Sequence, residues 1–237
     1  MKYKIVIIGD SFATKFNNHT KIGEKDTFWI DELMSYFSTY DVICDAKGGR
    51  DAQTIIDNWI KVIPNLHEKD ILIIFLPHMS RTRFSLAESE YSNVISKDET
   101  IKLINRFSSP GCYFGEQLEI WDGEGDCESQ YLFERLGFQS LIMNSKAMLE
   151  NFKEIMISLL RLSKNKTFIF TWDTINYDNP LIYDKEKLTN ELGIWETLDD
   201  VYEQTSGNFG RKNDHHWSSR TDTKFGKYVI KLIENEN

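Results

Sequence analysis

A doubly wound parallel α/β sheet is the fold class that the sequence predicts, and three observations carry the prediction. Residues 3–8 contain the unbroken β-branched run Ile5-Val6-Ile7-Ile8, as a central strand buried on both faces requires. Ala52, Ile55, Ile56, Trp59, Ile60 and Ile63 recur at helical spacing and draw one apolar stripe. A second apolar run, Ile71 to Leu76, follows that helix, and strand–helix–strand alternation of this kind builds parallel sheets.

The remaining elements follow in order. After the first strand closes at Gly9-Asp10, Trp29, Ile30, Leu33, Met34 and Phe37 repeat at helical spacing, with Asp26 and Thr27 as caps. Asp41 to Ala46 is a short second strand closed by Lys47-Gly48-Gly49. Asp51 caps the next helix and Pro64 stops it. The rhythm then breaks. The next strand, 167–171, arrives about 90 residues after the third, where a simple crossover needs roughly 30. Met148, Phe152, Ile155, Met156, Leu159 and Leu160 share a helical face and fill part of that gap. Residues 80–128, with Tyr91, Tyr113, Phe114 and Trp121 among Gly, Ser and acidic residues, are expected to form an inserted subdomain or lid. A structureless loop of that length is uncommon in a compact domain. Residues 173–213 read as irregular, and a final helix carries Phe225, Tyr228, Val229 and Leu232 on one side.

The 237 residues suit one large domain, 1–237, with that insertion. Hydrophobic residues at 41% and aromatics at 13% are ample for a core and exclude wholesale disorder. Lys and Arg number 28 against 37 Asp and Glu, a net charge of −9. That balance argues against nucleic acid or an anionic membrane as a general partner, since both demand a cationic face. No apolar stretch approaches the roughly 20 residues of a membrane span. Ile5-Val6-Ile7-Ile8 is also shorter than the roughly 7-residue core of a signal peptide, so a cytoplasmic or virion-associated location is expected. Cys44, Cys112 and Cys127 are odd in number and lack C-x-x-C spacing, which indicates neither a disulfide framework nor a zinc site. A Cys112–Cys127 bridge within one loop stays open.

In open α/β sheets, ligands bind beyond the carboxyl ends of the strands. Gly9-Asp10-Ser11, Lys47-Gly48-Gly49-Arg50 and His78-Met79-Ser80-Arg81 all fall at such ends, and Asp214-His215-His216 precedes the last helix. These are the parts of a serine esterase. A serine hydroxyl is a poor nucleophile until a positioned imidazole takes its proton, and His216 can be that base for Ser11. Asp214, two residues earlier, can hold the ring and stabilise the imidazolium. Gly49 can bring a backbone N–H close to the developing oxyanion.

Taken together, these blocks resemble the SGNH (GDSL-type) hydrolase family. Ile5-Val6-Ile7-Ile8-Gly9-Asp10-Ser11-Phe12-Ala13 is similar to its first block. Lys47-Gly48-Gly49 followed by a helix is similar to the glycine block that provides an oxyanion donor. Asp214-His215-His216-Trp217-Ser218 is similar to the final block. The likeness spans the sheet framework and both chain ends, while residues 80–165 have no counterpart in the minimal core. It implies a flavodoxin-like three-layer α/β/α sandwich with a Ser-Asp-His triad that hydrolyses esters of small acyl groups or lipids. Many members remove acetyl groups from polysaccharides.

Two departures stand out. The family spaces its last Asp and His as D-x-x-H, whereas this chain offers Asp214-x-His216 or Asn213-x-x-His216. The shorter form resembles branches acting as O-acetyl transferases or esterases on polysaccharides, so Asp214 is preferred as orienter and Asn213 is the fallback. His215 is the alternative base. The family's third block also carries a Gly-x-Asn that completes the oxyanion hole, and Leu76-Pro77-His78-Met79-Ser80-Arg81 contains no Asn. His78 is the nearest substitute by position, with Arg81 or Arg83 as cationic alternatives. Without any of them, about 10²–10³ in rate is at stake.

Blander readings compete at each place. Asp10 and Ser11 can simply cap the helix that follows. Asp214, His215 and His216 can be solvated, or can ligate a metal together with His78. Their letters also match the DHH phosphoesterases, but the further acidic ligands of that motif are missing upstream. Gly48-Gly49 can be only a turn, and Arg50 can pair with a carboxylate rather than join Arg81 and Arg83 in a cationic mouth. The aromatics of the insertion can form a small core or, if exposed, a platform for sugar rings. The expected function is a serine esterase, most plausibly an O-deacetylase of an acylated small molecule or glycan, requiring no metal or organic cofactor. An O-acyltransferase using the same triad is the alternative within the chemistry. An inactive glycan-binding or structural component, for example of a phage particle, is the alternative outside it.

Overall fold

A computed structural model describes residues 2–13, 28–47, 50, 52–77, 83–87, 112–113, 117–121, 145–171, 180–210, 212 and 216–235; at 83–87, 112–113, 117–121 and 145–150 only the backbone is described. Five strands form one parallel sheet: β1 (Lys4–Gly9), β2 (Asp41–Ala46), β3 (Ile71–Leu76), and two later ones. Three further strands, β4 (Arg83–Ala87), β5 (Cys112–Tyr113) and β6 (Gln117–Trp121), make a separate antiparallel sheet in the order β4-β6-β5. That small sheet occupies the stretch expected to be an insertion. The parallel sheet resumes with β7 (Lys166–Thr171) and β8 (Ile182–Tyr183), giving the order β2-β1-β3-β7-β8. This is the flavodoxin-like doubly wound order.

Register follows from the apolar runs. Ile5 lies beside Val42 on one side and Ile71 on the other, and Ile71 lies beside Lys166. Alternate residues of the buried strands then face opposite layers, because side chains alternate along a strand. Ile5, Ile7, Ile73, Phe75, Phe168 and Phe170 pack with α1 (Trp29–Tyr36) and the C-terminal α6 (Ser219–Asn235). Val6, Ile8, Leu72, Ile74 and Ile169 pack with α2 (Ala52–Val62) and α3 (Ser145–Leu162). The result is the three-layer sandwich that the sequence predicts. Among the described residues, no helix is long and apolar enough to cross a membrane.

Several details differ from expectation. Residues 173–213 are not irregular throughout: besides β8 they contain α4 (Lys185–Leu192) and α5 (Leu198–Gln204). Both are locally specified. Asp184 caps α4 by accepting the Lys187 N–H, and Gly193 ends it in the left-handed conformation at φ 65°. Thr197 and Asp200 form a reciprocal capping box on α5. Asp26, Thr27 and Asp51, expected as caps, lie outside the described residues. The residue before α1 is Phe28, which makes no side-chain cap. Instead the Trp29 N–H donates to Asp222 Oδ2 of α6 at 2.9 Å, a cap supplied from across the core. Ile60 is 50% exposed because it lies at the margin of the α2 stripe, whose buried members are Ala52, Ile55, Ile56 and Trp59. Pro64 does end α2, within a single 3₁₀ turn at Ile63–Asn65.

Candidate active site

The first candidate residue stands where β1 ends. Gly9 is pressed between neighbours, and a Cβ there would lie 2.7 Å from both Ala13 Cβ and Phe75 Cβ. No larger residue fits without displacing the turn or β3. Asp10 is fully buried, its Oδ1 accepts the Phe12 N–H at 3.0 Å, and its carbonyl accepts the Ala13 N–H at 3.2 Å. These two bonds wind Ser11–Ala13 into a 3₁₀ turn. Capping by Asp10 is therefore real, and it is also what sets the Ser11 backbone. Three further bonds tie the turn down: Trp29 Nε1 to the Phe12 carbonyl, Cys44 Sγ to the Ala13 carbonyl, and the Lys47 N–H to the Gly9 carbonyl. Ser11 is 7% exposed.

The position matters as much as the turn. From β1 the chain steps outward to β2, while β3 pairs on the other side of β1. Strand order thus reverses at β1/β3, the switch point where open α/β sheets leave a crevice for ligands.

His216 arrives from the far end of the chain. Its ring stacks on Phe12, with centroids 4.7 Å apart and planes at 23°. Phe12 is the neighbour of Ser11, so the imidazole lies against the turn that carries the serine. The Nε2 atom is shielded from solvent. The His216 carbonyl accepts the Leu198 N–H at 2.8 Å, Trp217 bridges to Thr197, and the Ser218 N–H donates to the Glu196 carbonyl at 2.9 Å. Ser218 Oγ also donates to Glu196 Oε1 at 2.6 Å, and Thr221 Oγ1 both donates to and accepts from the Glu196 backbone. Residues 196–198 thereby clamp the His216 segment to the entry of α6. Beneath it Trp217 is buried against Phe12, Phe75, Trp195 and Phe225.

Of the residues expected at the site, Ser11 and His216 lie within the described residues, and the fold sets the His216 ring on Phe12, the residue next to Ser11. Asp214, Gly49, His78 and Arg81, with Asn213 and His215, lie outside the described residues, as does the metal reading that draws on them. Among the described residues, no group of three or more His, Cys, Asp or Glu is placed to hold a metal ion. Arg50 donates to the Asp45 carbonyl at 2.6 Å and to Asp45 Oδ1 at 2.7 Å, so it pairs with a carboxylate and does not furnish a free cation for a mouth. Phe12 and the 196–198 clamp escaped sequence reasoning. The capping-box pattern at Thr197 and Asp200 was the readable signal for the clamp.

One further carboxyl lies beneath the site. Burial pushes Asp222 up to about 7, nearby Asp31 and Glu32 add to the rise, and the hydrogen bond from the Trp29 N–H opposes it. The Asp222 N–H donates to the Ser218 carbonyl, which links this carboxyl to the segment carrying His216.

No family model and no curated protein matches the chain. Several solved structures resemble it over nearly its whole length. A G-D-S-L family protein from Desulfitobacterium hafniense, described as lipolytic, is 14% identical with a TM-score of 0.40, covering 97% of this chain and 98% of its own. A lipase from a goat rumen metagenome is 9% identical with a TM-score of 0.41 and coverages of 97% and 96%. An acetylxylan esterase from Geobacillus stearothermophilus is 11% identical with a TM-score of 0.41 and coverages of 98% and 94%. Likenesses this distant assign no activity to the chain.

Proposed function

We propose that the protein is a serine esterase that hydrolyses small acyl esters, acetyl esters first among them, with an acylated glycan as its substrate class. One observation carries the reading. The imidazole of His216 is stacked on the residue next to Ser11, at the carboxyl end of β1 and beside the switch point of the sheet. A buried serine on a fixed turn beside a histidine from a distant segment is the minimal equipment for nucleophilic acyl transfer.

In the proposed reaction, Ser11 Oγ bonds the acyl carbon as its proton passes to His216. The carbonyl π pair moves onto oxygen, and the Ser11 and Gly49 N–H groups hold that oxyanion, with His78 or Arg81 as the third donor. Collapse expels the alcohol, which takes the proton from His216. Water then repeats the sequence on the acyl-enzyme and releases the acid. Asp214 orients the imidazole and stabilises its charged form. No step calls for a metal or organic cofactor.

Turnover of p-nitrophenyl acetate tests this reading. Ser11→Ala should lower kcat/KM by at least about 10³, the scale on which triad members act. A fluorophosphonate probe should label Ser11 in the unsubstituted protein. Full activity in Ser11→Ala, or no labelling, overturns the esterase reading. Acyl transfer to an added glycan at the expense of hydrolysis would redirect it to a transferase.

A further inference from the structure

Phe12 occupies an unusual place for an apolar side chain. It is half-buried, yet its ring is held by contacts other than the one with His216. Phe75 stacks on it at 6.3 Å, the edge of Trp217 meets it at 5.7 Å, and its backbone is tied to Asp10 and Trp29. The ring therefore presents a preset π face, and His216 lies on it at 4.7 Å. Stacking occupies a face of the imidazole, whereas the ring nitrogens lie in its plane and keep their hydrogen-bonding directions.

We infer that Phe12 is a positioning residue that acts through His216: it fixes the plane of the imidazole and favours the imidazolium formed when Ser11 gives up its proton. The physical basis is the ring quadrupole, which attracts a cation within about 6 Å of the centroid. A neutral imidazole gains much less from the same face. The contact is therefore stronger in the charged transition state than in the resting enzyme, which is the condition for raising kcat rather than merely lowering KM. The inference rests on the esterase reading above.

Graded fluorination of the ring tests it, because fluorine withdraws the π charge while nearly preserving shape. Phe12 is replaced by mono-, di- and trifluorinated phenylalanine, and p-nitrophenyl acetate turnover is measured beside Tm. Across the series kcat should fall progressively, by about three- to tenfold in total, with KM and Tm little changed. Phe12→Leu should fall at least as far, and Phe12→Tyr should retain most activity. A flat series, or a fall that merely follows Tm, overturns the inference and leaves the esterase reading intact. Failure of the fluorophosphonate to label the unsubstituted protein overturns the esterase reading, and this inference with it.

Discussion

Gly9 shows how tightly single residues are constrained at the end of β1. A Cβ at this position would meet Ala13 and Phe75 at 2.7 Å, distances that real side chains do not tolerate. Both contacts are rigid, one within the serine turn and the other on β3. Gly9→Ala should therefore cost about 1–3 kcal/mol of stability, as overpacking of a close-packed core does. Activity on a small ester should fall further than that loss explains, because the Ser11 backbone would move with the turn. Urea unfolding and kcat measured on the same sample would check this, and an unchanged kcat would disconnect Gly9 from the site. At this scale the sequence was informative through placement rather than identity alone. Gly9, Asp10 and Ser11 are common at any strand-to-helix turn, and became legible as a candidate site only through their place directly after the first buried strand and the Asp-x-His before the last helix. Phe12 was not, since an aromatic residue there reads equally well as ordinary core until its partner from the other end of the chain is known.

Between elements, the tie joining α1 to α6 has a pH dependence of definite sign. Asp222 rises from 3.8 to about 7 on burial, so the folded protein holds a proton that the unfolded chain has already released. Stability from this group is present below about pH 4 and is lost as the pH rises through about 7, amounting to on the order of 4 kcal/mol. Asp222→Asn keeps an oxygen that can accept the Trp29 N–H and cannot ionise. Its Tm should therefore gain on that of the unsubstituted protein as the pH is raised from 4 to 8. Parallel Tm curves would show that the carboxyl is not raised. Asp222 could not be recognised from sequence as a cap for α1, because a cap supplied 193 positions away obeys no local spacing rule. The same limit applied to 173–213 in a milder form. β8, with two residues, and α4 and α5, with eight and seven, are too short for hydrophobic periodicity to speak. Their caps at Asp184, Gly193, Thr197 and Asp200 are the local signals that hydrophobic periodicity passes over. The long central strands and α6, by contrast, announce themselves by composition and period.

For the whole molecule, the doubly wound order was within reach because each of β1, β3 and β7 is an apolar run and helical stripes separate them. The partner of each strand in the small antiparallel sheet was not, since β5 has only two residues and its pairing with β6 is a matter of tertiary context. Net charge is the other whole-molecule property, and it bears on substrate choice. At −9 the protein repels polyanions at long range, and Arg50, a candidate for offsetting this near the site, is engaged with Asp45. Raising ionic strength from about 0.01 M to about 0.1 M shortens the screening length from about 30 Å to about 10 Å. On the proposed function, deacetylation of an anionic acetylated polysaccharide should therefore speed up over that range, through kcat/KM, while that of a neutral acetylated polysaccharide stays nearly constant. Acetate release from the two polymers in a salt series would measure it. A slowing on the anionic polymer would mean that local cations, for which Arg81 and Arg83 are the candidates, outweigh the field of the whole protein.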